Sequence, residues 1–254
     1  VNEARREPFV SVVVATLNAR AGVESCIESV AGQSAAEWEL LVADGGSTDG
    51  TLDVLARQAD RIAWLESRQD RGIYDAWNRA LPHCRGRYVM FLGADDRLAA
   101  RDVLARLMSA VGAGDPDLVT SHGMLVRGGT IVTGKIGKAY DWKAIGRRMV
   151  VCHPGMLHAR RLFKVHGPFD ASLRIVGDFE FLLRLPEDTT SVHADVVSVL
   201  IGDGGVSRRK VLARLREQRQ VLARHPRFGP ARAWWIWLDR LWRFPVARLF
   251  QISY

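Results

Sequence analysis

Phe9-Val-Ser-Val-Val-Val-Ala-Thr16 is the stretch whose reading decides the fold. A nearly unbroken β-branched, apolar run of this length reads as a strand buried on both faces, as strands of parallel sheets are. It stops at the polar turn Asn18 to Gly22, after which Val23, Ile27 and Val30 fall on one face of a helix. The same unit then recurs. Trp38-Glu-Leu-Leu-Val-Ala43 runs into Asp44-Gly-Gly-Ser-Thr-Asp-Gly50 and a helix carrying Leu52, Leu55 and Ala59, with Ser47 to Asp49 as candidate caps. Ile62 to Glu66 is a short third strand, followed by a helix from about Ile73 to Leu81. Arg87-Tyr-Val-Met-Phe-Leu92 is a fourth, ending at Gly93-Ala-Asp-Asp96 before a helix over about Arg101 to Val111. This alternation predicts an α/β, Rossmann-like fold with a mostly parallel, doubly wound central sheet.

Such sheets bind ligands beyond the carboxyl ends of their strands. Asn18, Asp44 and the Asp95–Asp96 pair each follow a strand end. They are therefore expected to meet on one rim, although about fifty residues separate Asp44 from Asp95. The second half reads differently. Asp117 to Ser121 and Met124 to Thr133 are expected as strands with turns at Gly123 and Gly128-Gly129, and His153 to Phe169 as loop and short helix. Asp178 to Leu185 is expected as helix and Val192 to Leu200 as strand. Val206 to Arg224 reads as a strongly basic helix, and after two proline-containing breaks the tail from Ala231 to Phe250 is rich in Trp and Arg.

Composition sets outer bounds. A chain of 254 residues, 48% hydrophobic, can bury one large core with a small appendage. Its net charge of +8 favours polyanions, whether anionic lipid, phosphorylated substrates or nucleic acid. No nucleic-acid recognition motif accompanies the charge, so nucleic acid is not expected as a partner. Cys26, Cys84 and Cys152 lie far apart, without metal-finger spacing, and suit a reducing compartment. Val1 to Pro8 is polar, and no run approaches the roughly 18 apolar residues of a membrane span. These features together predict a cytoplasmic protein.

Four constellations carry chemistry, each beside a plainer reading. Asp44 and the glycines after it allow close backbone approach, and the carboxylate there suits a nucleotide base or ribose; a capped polar turn fits as well. The adjacent carboxylates of Asp95 and Asp96 repel unless a cation compensates, and hard oxygen ligands suit Mg²⁺ or Mn²⁺; alone, such a pair is more often a solvated turn. In Asp70-Arg-Gly-Ile-Tyr-Asp-Ala-Trp-Asn78, Arg71, Asp75 and Asn78 are candidates to face a sugar or diphosphate, while Tyr74 and Trp77 are expected to pack. Asp178, at a helix start, is either a cap or a base that deprotonates an acceptor hydroxyl.

In combination and in this order, Thr16-Leu-Asn18, Asp44 to Thr51, Asp70 to Asn78, Phe91 to Asp96 and Gly177-Asp178 resemble glycosyltransferase family 2 over roughly residues 9 to 200. The resemblance implies an inverting enzyme of the glycosyltransferase A fold, transferring one sugar from a nucleotide-diphosphate sugar to a hydroxyl of a glycan or lipid-linked acceptor. It implies that Thr16, Asn18, Asp44 and Asp95 line the nucleotide site and that Asp96, with Asp95, holds Mn²⁺ or Mg²⁺. It places Asp178 where the family has its catalytic base. His153, in a segment near the family's acceptor site, is a candidate for the metal or diphosphate and equally a structural loop histidine; His122 and His158 are expected to be structural or at the surface.

On this reading residues 1–204 form the catalytic domain. Its nucleotide-sugar half is about 9–122 and its acceptor half about 123–204. Residues 205–254 form a basic, Trp-rich helical C-terminal extension. Trp and Arg at helical spacing there suit an anionic membrane at the inner face of the plasma membrane, or packing on the domain or on a second copy, leaving homo-oligomerisation open. The chain departs from the family at Gly93 and Gly177, where many members are acidic. The QxxRW-type motif and membrane helices of the processive polysaccharide synthases do not occur, which points to a single-addition enzyme; the acceptors open to it are a lipid-linked sugar, lipopolysaccharide or another cell-envelope glycan. A nucleotidyltransferase is the alternative enzyme, although Thr16 to Gly22 is a poor match to its basic triphosphate loop. A catalytically inactive sugar-nucleotide- or lipid-binding protein is the non-enzymatic alternative.

Overall fold

A computed structural model describes residues 7–204 and 210–249, with the backbone alone for 241–249. β1 (Val10–Thr16) is buried along its whole length and lies between two parallel neighbours, β2 (Trp38–Asp44) and β4 (Tyr88–Gly93). β3 (Trp64–Ser67) extends the sheet beyond β2, again in parallel. Helices α1 (Val23–Ala31), α2 (Thr51–Arg57), α3 (Ile73–Ala80) and α4 (Val103–Val111) fill the connections, as the alternation predicts. Each Val, Ile or Leu fully buried in this arrangement contributes about 1.5–3 kcal/mol, which is why the apolar runs dictate the layers.

The second half extends the same sheet. The full order is β3-β2-β1-β4-β8-β6-β9-β5, with β5 (Arg97–Leu98), β6 (Leu118–Arg127), β8 (Leu157–Ala159) and β9 (Ser191–Ile201). β7 (Thr130–Ile131) folds back on β6 through the expected turn at Gly128-Gly129. The long ladders are parallel, including β6 with β9; the antiparallel ones at β8 and β5 are two or three residues long. The remaining helices are α5 (Trp142–Ile145), α6 (Arg161–His166), α7 (Gly177–Arg184), α8 (Val211–Arg224) and α9 (Gly229–Leu249).

Three expectations needed correction. Gly123 is not a turn: it lies within β6, at a register irregularity, and a Cβ there would come 2.6 Å from Cys152 Sγ and 3.1 Å from Val199 Cγ1. The glycine is there for close packing, not for chain reversal. β8 was expected as loop or helix, because three residues are too few to show a period; all three are buried, wedged between β4 and β6. α5 was not anticipated, although Asp141 caps it by accepting the Lys143 and Ala144 N–H groups. The basic helix begins at Val211; its expected start at Val206 lies outside the described residues, as does Phe250.

Behind the rim sits an aromatic core. Trp77, Phe91, Phe163, Phe169, Phe181 and His158 stack or meet edge to face at centroid separations of 4.6–6.0 Å. It ties α3, β4, β8 and α7 into one block. α8 and α9 form a hairpin, and Arg227 between them stacks 3.6 Å over the Trp142 ring while donating to the Trp142 carbonyl at 2.7 Å.

Candidate active site

The carboxyl ends of β1, β2 and β4 lie side by side. Thr16 is in register with Asp44, and Ala15 with Gly93. At about 4.8 Å between strands, the Asp44 and Gly93 ends are about 10 Å apart, a span that a nucleoside diphosphate bridges. The loop after β1 closes against both neighbours. Asn18, in the left-handed region at φ 47°, donates its N–H to Ser47 Oγ at 2.7 Å and accepts the Thr48 N–H at 2.9 Å. On the other side, a Cβ on Gly22 would lie 3.0 Å from the Ala94 carbonyl. Thr16 is buried, and its Oγ1 has no hydrogen-bond partner among the described residues.

Asp44 is fully buried and organises the loop after it. Its Oδ2 accepts from Gly46 N at 2.9 Å, Ser47 N at 2.8 Å and Ser67 Oγ at 2.6 Å, and its Oδ1 accepts from Ser47 Oγ at 2.5 Å. Burial works against the charged form, but these donors prevail and hold the carboxyl below its ordinary value. Ser47 to Asp49 do not supply the N-cap of α2, which is Gly50 with no side-chain cap, although Asp49 accepts the Thr51 N–H at 3.0 Å. Arg79, almost buried, donates to the Asp44 carbonyl at 3.1 Å and pairs with Glu66 at 2.6 Å and Asp70 at 3.5 Å.

The two acidic residues after β4 behave differently. Asp96 is 5% exposed and accepts the Gly93 N–H at 2.9 Å and the Gly202 N–H at 3.2 Å. Asp95 is exposed and accepts the Gly204 N–H at 3.0 Å. The chain after β9 thus lies over both. Their negative field reaches α1: the buried Cys26 thiol is pushed up by its burial and by the charges of Asp96 and Asp95. Among the described residues no cluster of three or more metal-ligating side chains occurs. Two adjacent carboxylates fit a hard divalent ion that takes its remaining ligands from substrate phosphates and water.

Asp178 is partly buried in the first turn of α7. Burial pushes its carboxyl above the usual carboxylate range, against the opposing pull of the Phe179 N–H, the Tyr74 hydroxyl and the Arg214 guanidinium. The Tyr74 hydroxyl donates to Asp178 Oδ1 at 3.0 Å. Tyr74 stands on α3 in the same motif as Asp70, so this bond ties the nucleotide-side segment to the expected base. Sequence reasoning had assigned Tyr74 to packing alone.

The other expected contacts are placed as follows. Arg71 and Asp75 form an exposed ion pair at 3.2 Å on the rim of α3, and Arg71 N–H also bonds Asp75. Asn78 uses both ends of its amide on the Phe169 backbone, at 2.8 and 3.0 Å, and so clamps the Gly167–Asp170 segment. His153 is buried against Trp77 and Phe91, and burial pushes its imidazole down to about 3, which keeps it neutral. The rim therefore brings together Thr16, Asn18, Asp44, Asp95 and Asp96, with Asp178 joined through Tyr74, whereas Asn78 and His153 are taken up by the aromatic block. Two clefts of about 320 and 290 Å³, lined by Arg106 and Val196 and by Tyr140 and Glu187, share none of these residues.

The sequence model of glycosyl transferase family 2 matches residues 11–158, more than half of the chain. The chain belongs to glycosyl transferase family 2. This family 2 enzyme is 32% identical over 180 residues to a PGL/p-HBAD biosynthesis glycosyltransferase of Mycobacterium tuberculosis, covering 70% of the chain and 69% of that protein. A shorter match of 94 residues, 39% identical, joins it to a putatively assigned teichuronic acid biosynthesis glycosyltransferase, TuaG of Bacillus subtilis, over 36% and 37% of the two chains. In three dimensions it is similar to S. aureus TarS 1–349 in complex with UDP-GlcNAc, with a TM-score of 0.69 at 17% identity over 96% of this chain and 76% of that one. It is also similar to the mannosyltransferase PcManGT of Pyrobaculum calidifontis in complex with GDP-Man and Mn²⁺, with a TM-score of 0.65 at 20% identity over 95% and 75%. The fold is thus the glycosyltransferase A fold, and the glycosyltransferase reading displaces the nucleotidyltransferase one.

Proposed function

We propose that this glycosyltransferase moves a single sugar, with inversion, from a nucleoside-diphosphate sugar to a hydroxyl of a glycan or lipid-linked acceptor of the cell envelope. The observation that carries the reading is the rim itself: Thr16, Asp44 and Asp96 at adjacent strand ends, with Asp178 linked to the same rim through Tyr74. Relatives named for PGL/p-HBAD and teichuronic acid biosynthesis support the cell-envelope acceptor, and neighbours in complex with UDP-GlcNAc or GDP-Man support the donor class.

On this reading Thr16, Asn18 and the Asp44 loop receive the nucleoside, and the unpaired Thr16 Oγ1 offers it a hydrogen bond. Asp96, with Asp95, would hold Mn²⁺ or Mg²⁺. When bound, such an ion supplies Lewis-acid stabilisation of charge on the departing diphosphate. Asp178 takes the proton of the acceptor hydroxyl as its oxygen attacks the anomeric carbon. Its pKa, raised by burial, makes it a stronger base than an ordinary carboxylate. Tyr74 holds it in place.

Among the described residues no helix is long and apolar enough to cross a membrane. Trp234, Trp235 and Leu238 are nevertheless exposed on α9 beside Arg232, a surface suited to the interface of an anionic bilayer carrying a lipid-linked acceptor. A donor panel of UDP-, GDP- and dTDP-sugars, assayed for nucleoside-diphosphate release with Mn²⁺, with Mg²⁺ and with EDTA, tests the reaction. Metal-dependent release with an acceptor is expected. Donor binding with no release across the acceptor panel would instead mark a binding protein. Sedimentation with phosphatidylglycerol vesicles, lost in Trp235→Ala, tests the membrane contact.

A further inference from the structure

α7 begins without a cap of its own. Its N-cap residue is Val176, which has no side chain able to accept the helix's free N–H groups. The loop just before it turns three successive backbone N–H groups, those of Arg174, Ile175 and Val176, toward one point. A single carboxylate fills that point, and it comes from the C-terminal hairpin. Glu217 on α8 accepts Arg174 N at 3.0 Å through Oε1, and Ile175 N at 2.8 Å and Val176 N at 3.2 Å through Oε2. Converging backbone N–H groups of this kind form an anion-binding nest, and one ionised carboxylate satisfies all three. Asp178 is two residues further along the same chain.

A second residue of α8 points the same way. Arg214, one turn before Glu217, has its Nε buried with no hydrogen-bond partner among the described residues, and its positive charge acts on Asp178. Two residues of α8 therefore face the segment that carries the expected base.

We propose that Glu217 is a positioning residue of the transfer reaction: through the Arg174–Val176 nest it fixes the start of α7 and so the aim of the Asp178 carboxylate. α8 is then part of the acceptor side of the site, not an appendage to a finished catalytic domain. This rests on the assignment of Asp178 as the base. A 1 Å misplacement of a catalytic group can cost about a hundredfold in rate, whereas β1 and β2, which carry the proposed nucleotide contacts, are held by their own parallel pairing.

The test is Glu217→Gln in the full chain, assayed below its melting temperature. Glutamine has one acceptor oxygen, and its amide turns N–H against N–H in the nest. The expected result is a fall in kcat of about 10- to 100-fold with the Kd for the donor nucleotide within about twofold of wild type. The residual rate of Asp178→Asn should be unchanged when Glu217→Gln is added, because there is no longer a base to aim. An unchanged kcat, a parallel loss of donor binding, or a further fall in the Asp178→Asn background would overturn the proposal. Full turnover in Asp178→Asn alone would remove the base assignment instead, so the two failures are distinguishable. Should the Gln variant not fold, Glu217→Asp withdraws the carboxylate by one methylene: lowered kcat at unchanged donor Kd supports the role, and wild-type kcat overturns it.

Discussion

Asp44→Asn is the substitution whose consequences follow most directly from the structure. A carboxylate offers about four acceptor positions. Asp44 fills them with Gly46 N, Ser47 N, Ser47 Oγ and Ser67 Oγ. An asparagine with its oxygen at the Oδ2 position keeps three of these donors, but its amide then meets Ser47 Oγ. That hydroxyl already accepts the Asn18 N–H at 2.7 Å. It can take the new N–H on its other lone pair, leaving its own proton without a partner. The loss is one hydrogen bond and the charge assistance of the rest, about 2 kcal/mol. For a chain of this size that lowers Tm by roughly 4–8 °C. The carboxyl is held below its ordinary value in the folded state. Its contribution is therefore complete above the unfolded-state value and fades as pH falls through the folded one, so the deficit should stay constant from about pH 7 down to about pH 5 and shrink only as pH falls below about 4. Differential scanning calorimetry across that range measures both effects. A Tm within about 1 °C of wild type at neutral pH would refute the donor accounting. Ser67→Ala is the companion. Ser67 is exposed, and its removal frees one lone pair of Asp44 for a base or ribose donor, so nucleotide Kd should stay equal or tighten.

Three further outcomes follow from the same geometry. Asp96→Asn, which preserves shape and the carbonyl acceptor, and Asp178→Asn should each cut transfer by about 100-fold or more without altering circular dichroism, and only Asp96→Asn should change the metal titration. Tyr74→Phe removes a hydrogen bond that favours the ionised form of Asp178, so the acidic limb of the kcat profile should move to higher pH; a shift to lower pH would contradict the donor role of the hydroxyl. Gly177→Ala places a Cβ 2.8 Å from the Tyr74 ring and should lower kcat through displacement of that ring and its hydroxyl from Asp178; wild-type kcat would refute the crowding.

The parallel half of the fold was legible because its physical causes are local. Val10 to Thr16, Trp38 to Ala43 and Tyr88 to Leu92 are long enough to show unbroken burial, and parallel pairing then aligns their carboxyl ends without further information. The rim of Thr16, Asn18, Asp44, Asp95 and Asp96 follows from that register. The second half was less legible for an equally physical reason. β8 is three residues long, and Gly123 serves a close approach to Cys152 that becomes visible only when β6 and β9 are paired. Tyr74 and Asp178 are 104 positions apart, and no periodicity encodes that contact.

The two family departures show what a residue-by-residue resemblance leaves out. Position 93 lies between the carboxylates that follow it: a Cβ there would sit 3.1 Å from both Asp95 Oδ1 and Asp96 Oδ2, so an acidic side chain would add a third negative charge against two. Unless it swung clear or gained a cation, that charge would raise the cost of keeping all three ionised. Position 177 is limited by volume, since the Tyr74 ring occupies the space a side chain there would need, and the same ring carries the hydroxyl that holds Asp178. Glycine at 177 and tyrosine at 74 are therefore one structural choice. In this chain an aromatic hydroxyl from α3 therefore steadies Asp178, the proposed base.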